Sequence, residues 1–130
     1  IGKSTLKKLE SINKKNIKTL QYQKKKIKDE NDEIQKIQNV IYKEELKKKV
    51  AIHKDNISKF NTTKSDLSKS LMELKKKEML KIVEKIAPLV QNYMEENSID
   101  VILKGETLYI SKSNYDITKD ILEIVNKELK

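Results

Sequence analysis

The chain has 130 residues, 38% of them charged, 36% hydrophobic and 5% aromatic, with two Gly, one Pro, no Cys, no Trp and a net charge of +9. An average globular chain has about 25% charged and about 45–50% apolar residues, so this one lacks the apolar matter for an ordinary compact core and the Gly and Pro for an all-β fold. No Cys and a single His exclude a disulfide framework, a thiolate metal site, a cysteine nucleophile and any site needing two imidazoles; no apolar run nears the roughly 20 residues that span a bilayer.

The charge is unevenly spread. Residues 1–85 hold 24 Lys against 12 acids, and residues 86–130 hold 5 Lys against 8 acids. All the basic residues are Lys. A field of this kind attracts nucleic acid, anionic lipid or acidic protein. Without Arg the chain lacks the usual bidentate reader of guanine, which argues against specific nucleic-acid recognition. The plain alternative is that solvated helices carry Lys for solubility.

From Ser4 to Lys36 there is no Gly or Pro, and Leu20, Ile27, Ile34 and Ile41 recur at sevens. The spacing predicts a long helix with one apolar seam row. Ile17, Lys24, Asn31 and Gln38 fall between them, so the second row is expected to turn polar. Lys24, Lys25 and Lys26 are expected on the solvent side. Gly2-Lys3-Ser4-Thr5 matches the end of a phosphate-binding loop, but a charged helix follows where a parallel sheet is required. It reads better as a helix start. Asp29, Glu30, Asp32 and Glu33 lack the Gly and the spacing of a calcium loop and are expected to form ion pairs within the helix.

The chain is expected to reverse near 38–43, where Glu44 and Glu45 suit the first turn of a new helix. Asn61-Thr62-Thr63 is a rival turn, a run of poor helix formers. The second helix is expected from Lys43 to Glu96, with Leu46, Val50, Ile57, Phe60, Leu67, Leu71 and Leu74 in its seam. His53 and Lys64 occupy seam positions, and Ile82, Ile86, Val90 and Tyr93 continue the stripe. Pro88 is expected to kink or split it. Nothing near His53 in sequence offers a partner for catalysis or metal binding.

Ile99-Asp100-Val101-Ile102-Leu103 and Thr107-Leu108-Tyr109-Ile110 are rich in β-branched and aromatic residues and read as two strands. Lys104-Gly105-Glu106 would join them as a hairpin loop, with Gly105 at positive φ. A last helix is expected from Thr118 to Glu128, capped by Asp116 or Thr118. Ile121, Leu122, Val125 and Leu129 would form its buried face. A two-stranded hairpin is marginal alone, so further strands are expected from elsewhere.

The hairpin, followed by Asp116-Ile117-Thr118 opening the last helix, resembles the end of the Skp/OmpH family of periplasmic chaperones. Gly2-Lys3 followed by Leu6 and Leu9 looks like that family's junction between a first strand and a Lys-rich helix. The strand itself is absent from this sequence. The resemblance covers nearly the whole chain and is specific at its two ends. It implies a mainly α fold with a long antiparallel coiled-coil arm and a small body of β-hairpin and short helix. Three copies would assemble as a barrel with tentacles. It also implies a holdase for unfolded outer-membrane proteins that hydrolyses no nucleotide.

On this reading residues 1–96 are the arm, with 77–96 packing towards the body, and residues 97–130 are the oligomerisation body. Lys24, Lys25, Lys26, Lys47, Lys48 and Lys49 are the expected client contacts. Ile99, Val101, Leu103, Leu108 and Ile110 are the expected body core. The chain begins at Ile1 with no initial Met and no signal peptide, as a mature secreted or periplasmic protein would, and the resemblance implies the periplasm. The expected partners are unfolded outer-membrane proteins, further copies of the chain and an anionic membrane surface. No cofactor, metal or catalytic residue is implied. A structural coiled-coil component of an assembly and a basic nucleic-acid-binding protein are the alternatives.

Overall fold

The computed structural model describes residues 2–129; Ile1 of the expected arm and Lys130 of the expected body lie outside the described residues. The fold is mainly α. Helix α1 spans Gly2–Ile37, α2 spans Lys43–Glu96 and α3 spans Thr118–Glu128. Between α2 and α3 lie two single 3₁₀ turns, Gly105–Thr107 and Ser113–Tyr115. Among the described residues there is no β-strand and no fully buried side chain. The chain divides into two compact units, Thr5–Lys75 and Ile1–Ser4 with Lys76–Lys130.

In the first unit, α1 and the start of α2 form an antiparallel pair. Lys-rich sequence with straight side chains favours helix throughout α1. At its end the Val40 and Ile41 N–H groups donate to the Ile37 carbonyl at 2.9 and 3.1 Å. The Tyr42 carbonyl then accepts the Glu45 and Leu46 N–H groups, both at 3.0 Å, and opens α2. Glu44 and Glu45 lie at the positive end of the α2 dipole. Facing residues have numbers that add to 82 (Glu33 and Lys49) and 83 (Glu30 and His53). These pairs establish the antiparallel register.

The seam on α1 consists of Leu9, Ile12, Asn16, Leu20, Gln23, Ile27, Glu30, Ile34 and Ile37, all half-buried. Its apolar row includes Leu20, Ile27 and Ile34. The second row is polar, but it holds Asn16, Gln23 and Glu30 rather than Ile17, Lys24 and Asn31. Ile17 is 46% exposed. On α2 the seam holds Leu46, Val50, His53, Asn56, Phe60, Thr63, Leu67, Leu71 and Leu74. Asn56 replaces the expected Ile57, and Thr63 replaces Lys64. Helix α2 runs through Asn61-Thr62-Thr63 unbroken, because Phe60, Thr63 and Leu67 face α1 and tertiary contact outweighs weak propensity.

In the second unit α2 also runs through Pro88, which does not split it. Pro88 and Glu84 are both exposed. The Glu84 carbonyl thus loses its i+4 donor on the exposed side of the helix, while Leu89, Val90, Tyr93 and Met94 are half-buried on the other side. The helix closes in a Schellman motif. Ile99 N–H donates to the Met94 carbonyl at 2.9 Å and Ser98 N–H to the Glu95 carbonyl at 3.4 Å. Ser98 takes the left-handed position at φ 53°, which costs an L-residue what glycine would not lose.

The expected hairpin of 99–103 and 107–110 is not formed within the chain. The backbone is extended at Lys104 (φ −71°, ψ 134°) and Leu108 (φ −96°, ψ 130°), yet a 3₁₀ turn separates them instead of a hairpin loop. Thr107 N–H donates to the Lys104 carbonyl at 2.9 Å, and Thr107 Oγ1 donates to the same oxygen at 2.7 Å. Gly105 does not adopt positive φ. The physical reason is that a two-stranded ribbon is marginal in water and a right-handed turn splays the strands it joins.

Helix α3 starts where the Asp116 carboxylate accepts the Thr118 N–H at 3.0 Å. A hydrogen bond from the Thr118 side chain, joined by this backbone one, holds the Asp116 carboxyl below its ordinary value. The packed face of α3 is Ile117, Ile121, Ile124, Val125 and Leu129. Leu122, expected inside, points outward. Tyr93 on α2 donates from its hydroxyl to Asp120 at 2.9 Å and joins α3 to α2. The acceptor carboxylate pushes the Tyr93 phenol up.

Candidate functional site

The paired helices of Thr5–Lys75, the greater part of the expected arm, are held by a thin seam with a polar centre. Glu30 is the hub. Its Oε1 accepts from Asn56 Nδ2 at 2.9 Å and its Oε2 lies 3.2 Å from His53 Nδ1. An ionised carboxylate only accepts, so His53 Nδ1 carries the proton. One turn along α1, Glu33 accepts from Lys49 Nζ at 3.0 Å. The His53 side chain is 13% exposed and that of Glu30 30%.

The Asn56 hydrogen bond is the main cause holding the Glu30 carboxyl below its ordinary value. Burial acts against it, while the His53 contact and the nearby Lys26 charge add to it. The hydrogen bond from Lys49 to Glu33 raises the amine above its usual value. Glu30 and Glu33 therefore pair across to the other helix and not only within their own. Gln23, one heptad before Glu30, has a buried Oε1 without a hydrogen-bond partner.

Pairwise reading of α1 or α2 alone does not reveal this clasp, because His53 and Glu30 lie 23 residues apart. Placing the reversal between Ile41 and Tyr42 is enough to find it. The numbers of facing residues then add to about 83.

Lys24, Lys25 and Lys26 are exposed on α1. Lys47 pairs with Glu44 at 3.1 Å, Lys48 is exposed and Lys49 is engaged by Glu33. Lys25 lies eight residues before Glu33, so the two triplets are roughly 12 Å apart along the arm. Tyr22 on the far side of the first triplet, and Val40, Tyr42, Ile52 and Ile57 towards the reversal, are exposed among the lysines. The arm surface is thus a mixture of cations and isolated apolar groups.

In the other unit Ile99 is half-buried, whereas Val101, Leu103, Leu108 and Ile110 are exposed. They make no core within one chain. Ile110 is 83% exposed and Tyr109 beside it more so.

The family model described as outer membrane protein (OmpH-like) matches residues 1–125. The chain belongs to the Skp/OmpH-like family. No curated protein and no solved structure matches it. The OmpH-like match spans both compact units, the clasp and the exposed apolar segment. Among the described residues no helix is long and apolar enough to cross a membrane, and no group of three or more acids or histidines is placed to hold a metal ion.

Proposed function

We propose that this OmpH-like chain is an ATP-independent holdase that keeps unfolded outer-membrane proteins from aggregating in the periplasm. The observation that carries the reading is the family match over an arm that is Lys-rich and has no buried core. Lysine stems lie beside exposed Ile and Tyr, so each contact with a client is weak. Many such contacts along one unfolded chain add through effective concentration. Lys24, Lys25, Lys26, Lys47, Lys48 and Lys49 speed the encounter, and apolar groups set residence.

Residues 97–130 act as the oligomerisation body of a homotrimer, with 1–96 as the arm. Ile99, Val101, Leu103, Leu108 and Ile110 become core when strands from several copies pair. The exposure of four of these five residues supports that reading, since an isolated hairpin cannot shelter them. The same cationic arm suits an anionic membrane surface, where the client is delivered.

Light scattering of an unfolded β-barrel protein diluted from denaturant tests the reading. Stoichiometric chain should suppress the rise in scattering without ATP. Undiminished aggregation at that ratio refutes it.

A further inference from the structure

The clasp leaves a notch of about 150 Å³ on the arm, lined by Glu30, Glu33, Ile34, Lys49, Ile52 and His53. We propose that this notch receives one aromatic side chain, Tyr or Phe, of a bound unfolded chain. The inference rests on the holdase reading and names the part of the client that the arm selects.

Size comes first. A benzene-sized ring needs a space of about 150 Å³, and the notch, open to solvent and lined by four ionisable side chains and two Ile, offers about that volume. Its walls are Ile34, half-buried in the seam, and Ile52, which is 61% exposed and forms an open lip. A ring can therefore enter from solvent without unzipping the helices.

Charge decides between ring and aliphatic chain. The notch presents Lys49 and His53 from α2 and the carboxylates of Glu30 and Glu33 from α1. An aromatic ring has a negative face and a positive edge. Its face suits the Lys49 ammonium and its edge the two carboxylates, which also accept from a Tyr hydroxyl. A Leu side chain fills similar space but has no quadrupole to match. Chains destined for outer-membrane barrels carry aromatic girdles at the ends of strands of about ten residues, so they present such rings repeatedly.

The test uses the full chain, methyl-labelled at Ile, and two unfolded peptides of about ten residues. One alternates Tyr with polar residues; the other has Leu in place of Tyr. The Tyr peptide should shift the Ile34 and Ile52 methyl resonances through its ring current, which the Leu peptide lacks. The Leu peptide should bind roughly two- to fivefold more weakly, the loss of one exposed cation–π contact. Ile52→Phe places the chain's own ring in the notch and should erase the preference between the peptides.

Tyr-peptide binding that moves other arm resonances but leaves Ile34 and Ile52 unmoved overturns the notch and leaves the holdase reading intact. No shift on the arm with either peptide also overturns the notch. Ring-current shifts at both methyls, with no suppression of client aggregation, uphold the notch and overturn the holdase reading.

Discussion

The two compact units solve the shortage of apolar residues in opposite ways. Thr5–Lys75 pairs its thin seam within the chain, and where the seam turns polar it satisfies Glu30 with Asn56 and His53. The unit with Lys76–Lys130 packs α3 on the end of α2 but leaves Val101, Leu103, Tyr109 and Ile110 to solvent. The first unit half-buries its seam within the single chain. The other retains a run of β-branched and aromatic residues that the single chain leaves exposed. Long helices satisfy their own backbone hydrogen bonds locally, whereas a strand depends on a neighbour.

The sharpest way to break this contrast is to charge the uncovered segment. Val101→Asp with Ile110→Asp should reduce the proposed homotrimer to monomer in sedimentation velocity. Helical ellipticity at 222 nm should stay essentially unchanged, because neither residue supports a helix. Loss of helicity together with assembly would show that the arm depends on the body.

Next in size is a cut into the seam. Ile27→Ala should destabilise the arm by about 1–2 kcal/mol, at or below the lower end of the range for fully buried aliphatic truncations, because Ile27 is only half-buried. Chemical denaturation followed by circular dichroism measures it. The assembly state at fixed concentration should not change.

The clasp makes the arm acid-sensitive. The Glu30 carboxyl lies below its ordinary value in the fold, so its contribution is present above the unfolded Glu value of about 4.3. That contribution is lost as pH falls through the lower folded value. Thermal melts of the chain and of Glu30→Gln should differ at pH 6 and converge in strong acid. A difference that persists unchanged to low pH would mean that Glu30 acts by packing alone.

The smallest effect lies at the end of α2. Ser98→Gly relieves a side chain held at φ 53° and should stabilise the second unit by about 0.5–1 kcal/mol. A rise in melting temperature without any change in client binding is the expected result.

Leu20, Ile27 and Ile34 were legible as a helical row from their sevenfold spacing, since an apolar repeat survives in any register. The second row was not legible. Asn16, Gln23 and Glu30 are polar, and a search for apolar periodicity passes them over in favour of Ile17, one position away. Ile57 and Asn56 exchanged places for the same reason. Leu122 and Ile124 are equally apolar, and only the contact with α2 selects which turns inward.

Composition and periodicity by themselves determined that this protein is mainly helical, with long helices, and strongly cationic along residues 1–85, because these properties follow from local hydrogen bonding and charge. The tertiary structure alone decided the phase of the polar seam and the pairing of Glu30 with His53 and Asn56. It also decided the persistence of α2 through Pro88 and the unpaired state of 99–103 and 107–110 in the single chain. Each of those depends on which distant surface a residue meets, and a short-range pattern carries no information about that meeting.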